Sequence, residues 1–287
     1  MKISDIIKNK KVTISCEVFP PKAWNELSHA KETISEIAQL KPDFMSVTYG
    51  ATGGTRDTTV AVAEHIQKHN VTALAHLTCG GTDDVMLPKT LSELKAAGIE
   101  NVLALRGDLP NDPDFVLTKG LEHANQLAVR IKEYGDFCVG GACYPEGHPE
   151  AETLAKDIEA LKLKVECGCE FLTTQMFYDN DILYRFMCKM MKAGVNVPIV
   201  AGIMPVTNAK QVKRITGISG STLPTRYKRA ADRFGDDPLA MKQAGIAFAC
   251  DQIVDLISNG ICNIHIYTMN SPDVAGSIMN NISELTK

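Results

Sequence analysis

The sequence predicts a single (β/α)8 barrel, and three observations carry that prediction. Short β-branched or apolar runs alternate with longer amphipathic segments along the whole chain. There are eight such runs, and they read as near-continuous apolar stretches, the pattern of parallel strands covered by helices. At 287 residues the chain has the length of one large barrel of the ~250-residue kind, so residues 1–287 are expected to form one domain.

The first strand is VTISCEVF (12–19), with Glu17 near its end. It runs into FPPKAW, so the glycine-rich turn of a doubly wound dinucleotide-binding sheet, the competing fold, is missing. Leu27, Ala30, Ile34 and Ile37 then recur at helical spacing. The second strand, DFMSVTY (43–49), ends in Thr48–Tyr49–Gly50, and the third, TALAHLTC (72–79), carries His76 and Thr78. Gly98 falls where the next helix should stop. The fourth strand, NVLALRG (101–107), ends in Arg106–Gly107–Asp108, and the fifth, FCVGGACY (137–144), ends in Tyr144 with His148 just beyond.

Leu154, Ile158, Leu161 and Val165 mark the following helix, which Gly168 should close. The sixth strand, FLTTQMF (171–177), contains Gln175, and Gly194 is placed to end the helix after it. PIVAGIM (198–204) is the seventh strand. The connection from about 206 to 260 has room for three helices, so extra helices are expected before the last strand, NIHIYTM (263–269), which carries His265, Tyr267 and Thr268.

With 30 Lys+Arg against 34 Asp+Glu and no long block of one sign, the chain shows no general footprint for nucleic acid or an anionic membrane. No apolar run approaches the roughly 20 residues of a membrane span, and MKISDIIKNKK lacks a secretory apolar core, so the expected location is cytoplasmic. The nine cysteines are scattered, several inside apolar strands, which suits buried thiols better than disulfides. Cys167 and Cys169 form a C-x-C pair with no second pair or nearby His, and no metal site is expected.

In a barrel of this kind the active site lies at the C-terminal ends of the strands. Most of the eight strands bring polar side chains to that end, a convergence that points to a site. Glu17, in an apolar strand, needs a partner or a raised pKa; a structural ion pair, for instance with Arg106, is the plainer alternative. No strand-end Lys suggests Schiff-base chemistry. One candidate acid, an Arg–Asp pair, hydroxyls, an amide and small residues suit a large heteroaromatic cofactor with a polar heterocyclic substrate.

The strand-end motifs are also familiar as a set. SCEVFPPK (15–22), VTYGATGGTRD (47–57), AHLTC (75–79), LALRGDLP (103–110), YPEGHPEA (144–151), TTQMFYD (173–179), GIMPVTNAKQ (202–211) and HIYTMN (265–270) closely resemble the bacterial methylenetetrahydrofolate reductases. The resemblance runs in order from about residue 12 to 270. It implies a flavoprotein barrel of one-carbon metabolism that reduces 5,10-methylenetetrahydrofolate to 5-methyltetrahydrofolate, the methyl donor for methionine. FAD would be the cofactor, reduced first by NADH or NADPH, and by analogy the chain would form homo-oligomers.

Carried over by motif, Glu17 would be the general acid that protonates the leaving folate nitrogen, a task for a desolvated carboxyl. Asp108 would bond the pterin and lie near the flavin, and Gln175 would bind substrate. The flavin contacts implied are Thr48, Tyr49 and Ala51 after the second strand, His76, Arg106, Gly107 and Asp108 after the third and fourth, and Tyr144, His148, Ala151, Asp157 and Lys164 after the fifth. Asp157 and Lys164 share a helix face, where a solvated edge is an equal alternative.

Three positions depart from the family pattern. Ala209 stands where a Phe usually packs on the nicotinamide and folate, Leu163 precedes Lys164 where Arg is common, and Ser271 replaces an Arg after YTMN. These departures make a second expectation: a catalytic subunit whose FAD is reduced by a partner protein, not by NADH. A third is a barrel that binds a pterin or corrinoid without redox chemistry.

Overall fold

The computed structural model describes residues 1–50, 55–108, 116–118, 121–212 and 221–287. Its centre is a closed barrel of eight parallel strands in the order β1 to β8, so the expected (β/α)8 architecture is the one found. The strands are β1 Thr13–Val18, β2 Phe44–Val47, β3 Thr72–Thr78, β4 Asn101–Leu105, β5 Cys138–Cys143, β6 Cys169–Thr174, β7 Ile199–Ile203 and β8 Asn263–Tyr267. All eight expected runs form strands. The sixth differs most: it starts at Cys169 and ends at Thr174, which leaves Gln175 in the loop.

Around the barrel lie α2 Leu27–Gln39, α3 Arg56–Lys68, α4 Met86–Ala96, α5 Ala124–Tyr134, α6 Leu154–Glu166 and α7 Asn180–Lys192, followed by α8 Thr225–Phe234, α9 Pro238–Ser258 and α10 Pro272–Asn281. Leu27, Ile34 and Ile37 of α2 and Ile158 and Leu161 of α6 are buried, as their spacing requires. Gly98, Gly168 and Gly194 take φ of +73°, +106° and +82° just after the capping residues of their helices, the left-handed step that ends them. The long seventh connection holds α8 and α9, and residues 209–212 are helical as well.

One element escaped the sequence reading. The helix α1, Ile3–Asn9, precedes β1 and plugs the N-terminal mouth of the barrel. Its Ile3 and Ile6 pack with Phe44, Leu74, Leu103, Cys138, Phe171 and Val200, a cluster separate from the larger one between strands and helices. Asn101 pins it, accepting from the Ile3 amide at 2.8 Å and donating to the Met1 carbonyl at 3.0 Å. The lower interior is therefore apolar and closed, which leaves the C-terminal mouth for polar groups.

Candidate active site

Glu17 lies one residue before the end of β1, paired across the sheet with Ser46 on β2 and Tyr267 on β8. Inward positions on a strand alternate, so Ser15 and Glu17, Phe44 and Ser46, Leu74 and His76, and His265 and Tyr267 share the barrel interior. The Glu17 carboxyl is buried there with His76, His265 and Ser46. Its Oε2 accepts from Ser46 Oγ at 3.3 Å and lies 3.7 Å from both His76 Nε2 and His265 Nε2. Its partners are thus two imidazoles and a hydroxyl, while Arg106 is paired elsewhere.

Burial pushes the Glu17 carboxyl towards its neutral form, but the hydrogen bond and charge of His265, the charge of His76 and the Ser46 hydroxyl outweigh it, and the pKa lies below the usual carboxylate range. Of the two expectations for Glu17, a partner or a raised pKa, the partners are what the structure shows. Burial also pushes His76 down to about 4, so it is neutral near pH 7. The attraction of a charged His76 is therefore absent at that pH, and His265 and Ser46 are what hold Glu17 as a carboxylate. His76 Nε2 and the Thr173 hydroxyl on β6 are buried with no hydrogen-bond partner among the described residues.

Tyr267 crosses the mouth from β8 and donates to the Thr174 carbonyl on β6 at 2.6 Å. Gly202 on β7 makes that crossing possible: a Cβ there would lie 2.6 Å from both the Tyr267 hydroxyl and the Thr174 carbonyl. Thr268 donates to the Glu17 carbonyl at 2.6 Å, and Asn270 bonds both the amide and carbonyl of Phe19, so the turn after β8 clamps the backbone that leads on from Glu17.

A second group of expected residues forms a strip from β4 to α6. Arg106 makes a bidentate pair with Glu150, one arm at 2.8 Å, and that bond raises its pKa further. The Glu150 amide reaches His148 Nδ1 at 3.2 Å, the His148 amide donates to Asp157 at 3.0 Å, and the Tyr144 and His148 rings meet edge to face at 4.6 Å. Lys164 donates to the Ala142 carbonyl at 2.9 Å, and burial lowers its pKa. Asp157 is itself buried, so this face of α6 is not the solvated edge of the alternative. His148 and Ala151 also line an open cleft of about 340 Å³ between β5 and α6.

Other expected residues stand apart. Tyr49 packs into the layer between barrel and helices, with its hydroxyl 3.4 Å from the Gly81 carbonyl and burial pushing its pKa to about 12. Thr48, half-buried, has its amide on the Val18 carbonyl at 3.1 Å and its carbonyl on the Thr59 hydroxyl at 2.9 Å. Gly107, with φ +81°, and the exposed Asp108 follow β4, and Gln175 bonds the Met176 amide through its own side chain at 2.8 Å. Ala51 lies outside the described residues. The sequence reading missed Ser15, Ser46, Thr173 and Glu150; the signal for the first three is their place on the inward face, two residues along the strand from an expected or core residue.

Comparisons with known proteins bear on the family and the fold. A profile of the family described as methylenetetrahydrofolate reductase matches residues 2–283. The 5,10-methylenetetrahydrofolate reductase of Escherichia coli (strain K12) is 33% identical over 272 residues, covering 94% of this chain and 90% of that protein. Methylenetetrahydrofolate reductase (NADH) 1 of Arabidopsis thaliana is 34% identical over 297 residues, covering 98% of this chain. The chain spans about half the length of the plant relatives it matches, 50% in that case. Among solved structures, an uncharacterized protein from Clostridium thermocellum that binds two copies of 5-methyl-5,6,7,8-tetrahydrofolic acid superposes with a TM-score of 0.63 at 14% identity, covering 99% of each chain. That likeness speaks for the fold alone.

Proposed function

Because the chain belongs to the methylenetetrahydrofolate reductase family, we propose that it reduces 5,10-methylenetetrahydrofolate to 5-methyltetrahydrofolate, using a bound FAD and Glu17 as the general acid. The observation that carries the reading is Glu17: a carboxyl buried at the C-terminal mouth, where burial and a proton from its neighbours can make it an acid.

The residues present fit a flavin. His76 Nε2 and Thr173 Oγ1 are buried polar atoms awaiting a partner, and the positive φ of Gly107 turns the backbone where a flat ring would approach. Arg106 and Lys164, with His148 at the entry to α6, would face the anionic part of the cofactor. Arg106 must share or release Glu150 to do so. When bound, FAD would supply the hydride. The chain's own part is to hold substrate through Asp108 and Gln175, exclude water, and place a proton from Glu17 on the folate nitrogen whose bond to the methylene carbon opens.

The plant relatives are named for NADH, which makes NADH the first donor to try. A second reading, reduction by a partner protein, rests on the three departures: Leu163 is exposed beside Lys164, Ala209 packs against the Gly235 turn after α8, and the Ser271 hydroxyl donates to Asp273 at 2.6 Å. The absorption spectrum of the purified protein followed by rapid mixing with NADH separates them, since prompt bleaching of a flavin band excludes dependence on a partner. For the acid, Glu17→Gln should keep the flavin and its reduction but slow oxidation of the reduced protein by methylene folate about 10²-fold or more. Normal turnover in that variant would remove Glu17 from the role.

A further inference from the structure

Ser15 has a single hydroxyl hydrogen, and its Oγ lies 3.0 Å from the Ile264 carbonyl, which can only accept. The 2.8 Å contact between Ser15 Oγ and His265 Nδ1 must then carry the imidazole's own N–H, with the serine accepting. That leaves Nε2 as the nitrogen of His265 that gains or gives up a proton. Nε2 faces Ser46 Oγ at 3.2 Å, and Ser46 Oγ faces Glu17 Oε2 at 3.3 Å. All four side chains are buried.

Ser46 also has one hydrogen to give. With an anionic Glu17 and a neutral imidazole, both of its neighbours accept, and it can serve only one. Adding one proton satisfies every contact, and it does so in two ways. Either Nε2–H donates to Ser46, which donates to Glu17, or the Glu17 O–H donates to Ser46, which donates to Nε2.

We infer that Glu17 and His265 share one proton through Ser46, held on His265 in the ligand-free chain and passed to Glu17 when substrate fills the mouth. In the transfer the Nε2–H bond breaks as an O–H bond forms on Ser46, and the original Ser46 O–H breaks as one forms on Glu17 Oε2. The serine ends as it began. An ion pair becomes two neutral groups, with net charge zero throughout. Displacing water costs an ion pair more than two neutral groups, so ligand binding itself drives the proton onto the acid.

Two other titratable groups face this trio. His76, from β3, is neutral near pH 7 and does not compete for the proton, and Tyr267, from β8, is held as a phenol by burial and by Glu17. His265 is thus a positioning residue that supplies Glu17, which deepens the reading of Glu17 as the acid and rests on it.

The test is the protonation state of His265 in ¹⁵N-histidine-labelled protein near pH 7. Without folate, both ring nitrogens of His265 should carry protons in the wild type, and Nε2 should lose its proton in Glu17→Gln. Adding 5-methyltetrahydrofolate to the wild type should also remove the Nε2 proton, and Ser46→Ala should abolish that response while slowing the folate step about tenfold or more, with an altered pH profile. An unprotonated Nε2 in the wild type, or one indifferent to Glu17→Gln, overturns the inference. The folate-free comparison involves no turnover, so a failure of the folate reading leaves it standing, and its own failure leaves Glu17 as acid untouched.

Discussion

The two halves of the barrel interior are built from the same strands and differ by one inward step. On β2 the step runs from Phe44 to Ser46, on β3 from Leu74 to His76, on β6 from Phe171 to Thr173, and on β7 from Val200 to Gly202. Below the step the side chains of these four strands are apolar, packed and sealed by α1. Above it lie a carboxyl, two imidazoles and hydroxyls, two of whose polar atoms lack partners. The lower half lowers the free energy of the fold, and the upper half spends part of that gain on groups that await a ligand. Rigid support directly beneath a polar cluster is also what lets unsatisfied groups persist in one geometry.

The largest effect should come from breaking the lower half. Phe171 is fully buried, and its ring lies against Gly140, where an added Cβ would meet ring carbons at 2.4 Å. Phe171→Ala should cost about 3–5 kcal/mol in urea unfolding, since it leaves a cavity inside the packed cluster. Flavin retention and the folate step in the still-folded protein should change little. A comparable loss of stability from a substitution above the step would erase the distinction between the halves.

Much of this division was legible in the sequence, and the exceptions have physical reasons. The eight strands could be read because parallel strands buried on both faces leave unbroken apolar runs. Glu17 and His76 stood out because such runs rarely hold titratable groups. Ser15 and Ser46 did not, since a serine in a strand is small enough to read as filler; only the approach of β8 to β1 and β2 gives them a histidine to hold. The helix α1 was hidden because its two buried isoleucines sit in a seven-residue segment flanked by lysines, too short for a periodic signal. Nor could the pattern say that Tyr49 turns outward into the helical layer, or that Glu150 already occupies Arg106.

A second way to sharpen the contrast is acid. For His76 the ordinary value of 6.5 falls to about 4 in the folded chain, so between those values the unfolded chain binds a proton that the folded one refuses. Stability must therefore fall as pH drops from about 6.5 to about 4 and level off below, by about 3 kcal/mol for a shift of that size. Glu17 acts in the same direction: its lowered pKa stabilises the fold above the ordinary carboxylate value and is lost as pH falls through the folded one. Urea midpoints at pH 7 and 4.5 should lie closer together in His76→Gln than in the wild type. Equal acid sensitivity in the two would mean that the polar half is not what makes the fold labile.

The smallest effect should have the opposite sign. Thr173 is buried with an unpartnered hydroxyl, directly above Phe171 on the same face of β6. A hydroxyl stripped of water and given no partner costs free energy that a methyl group of similar shape does not. Thr173→Val should therefore stabilise the flavin-free protein, by about 1 kcal/mol in the urea midpoint, where nearly any core change below the step destabilises it. If the hydroxyl is kept for a ligand, the same variant should hold FAD or folate less tightly, by about tenfold for one lost hydrogen bond. A variant that is both less stable and unchanged in ligand affinity would show that Thr173 belongs to the packed half of the barrel, and the boundary between fold and site would then lie one residue higher on β6.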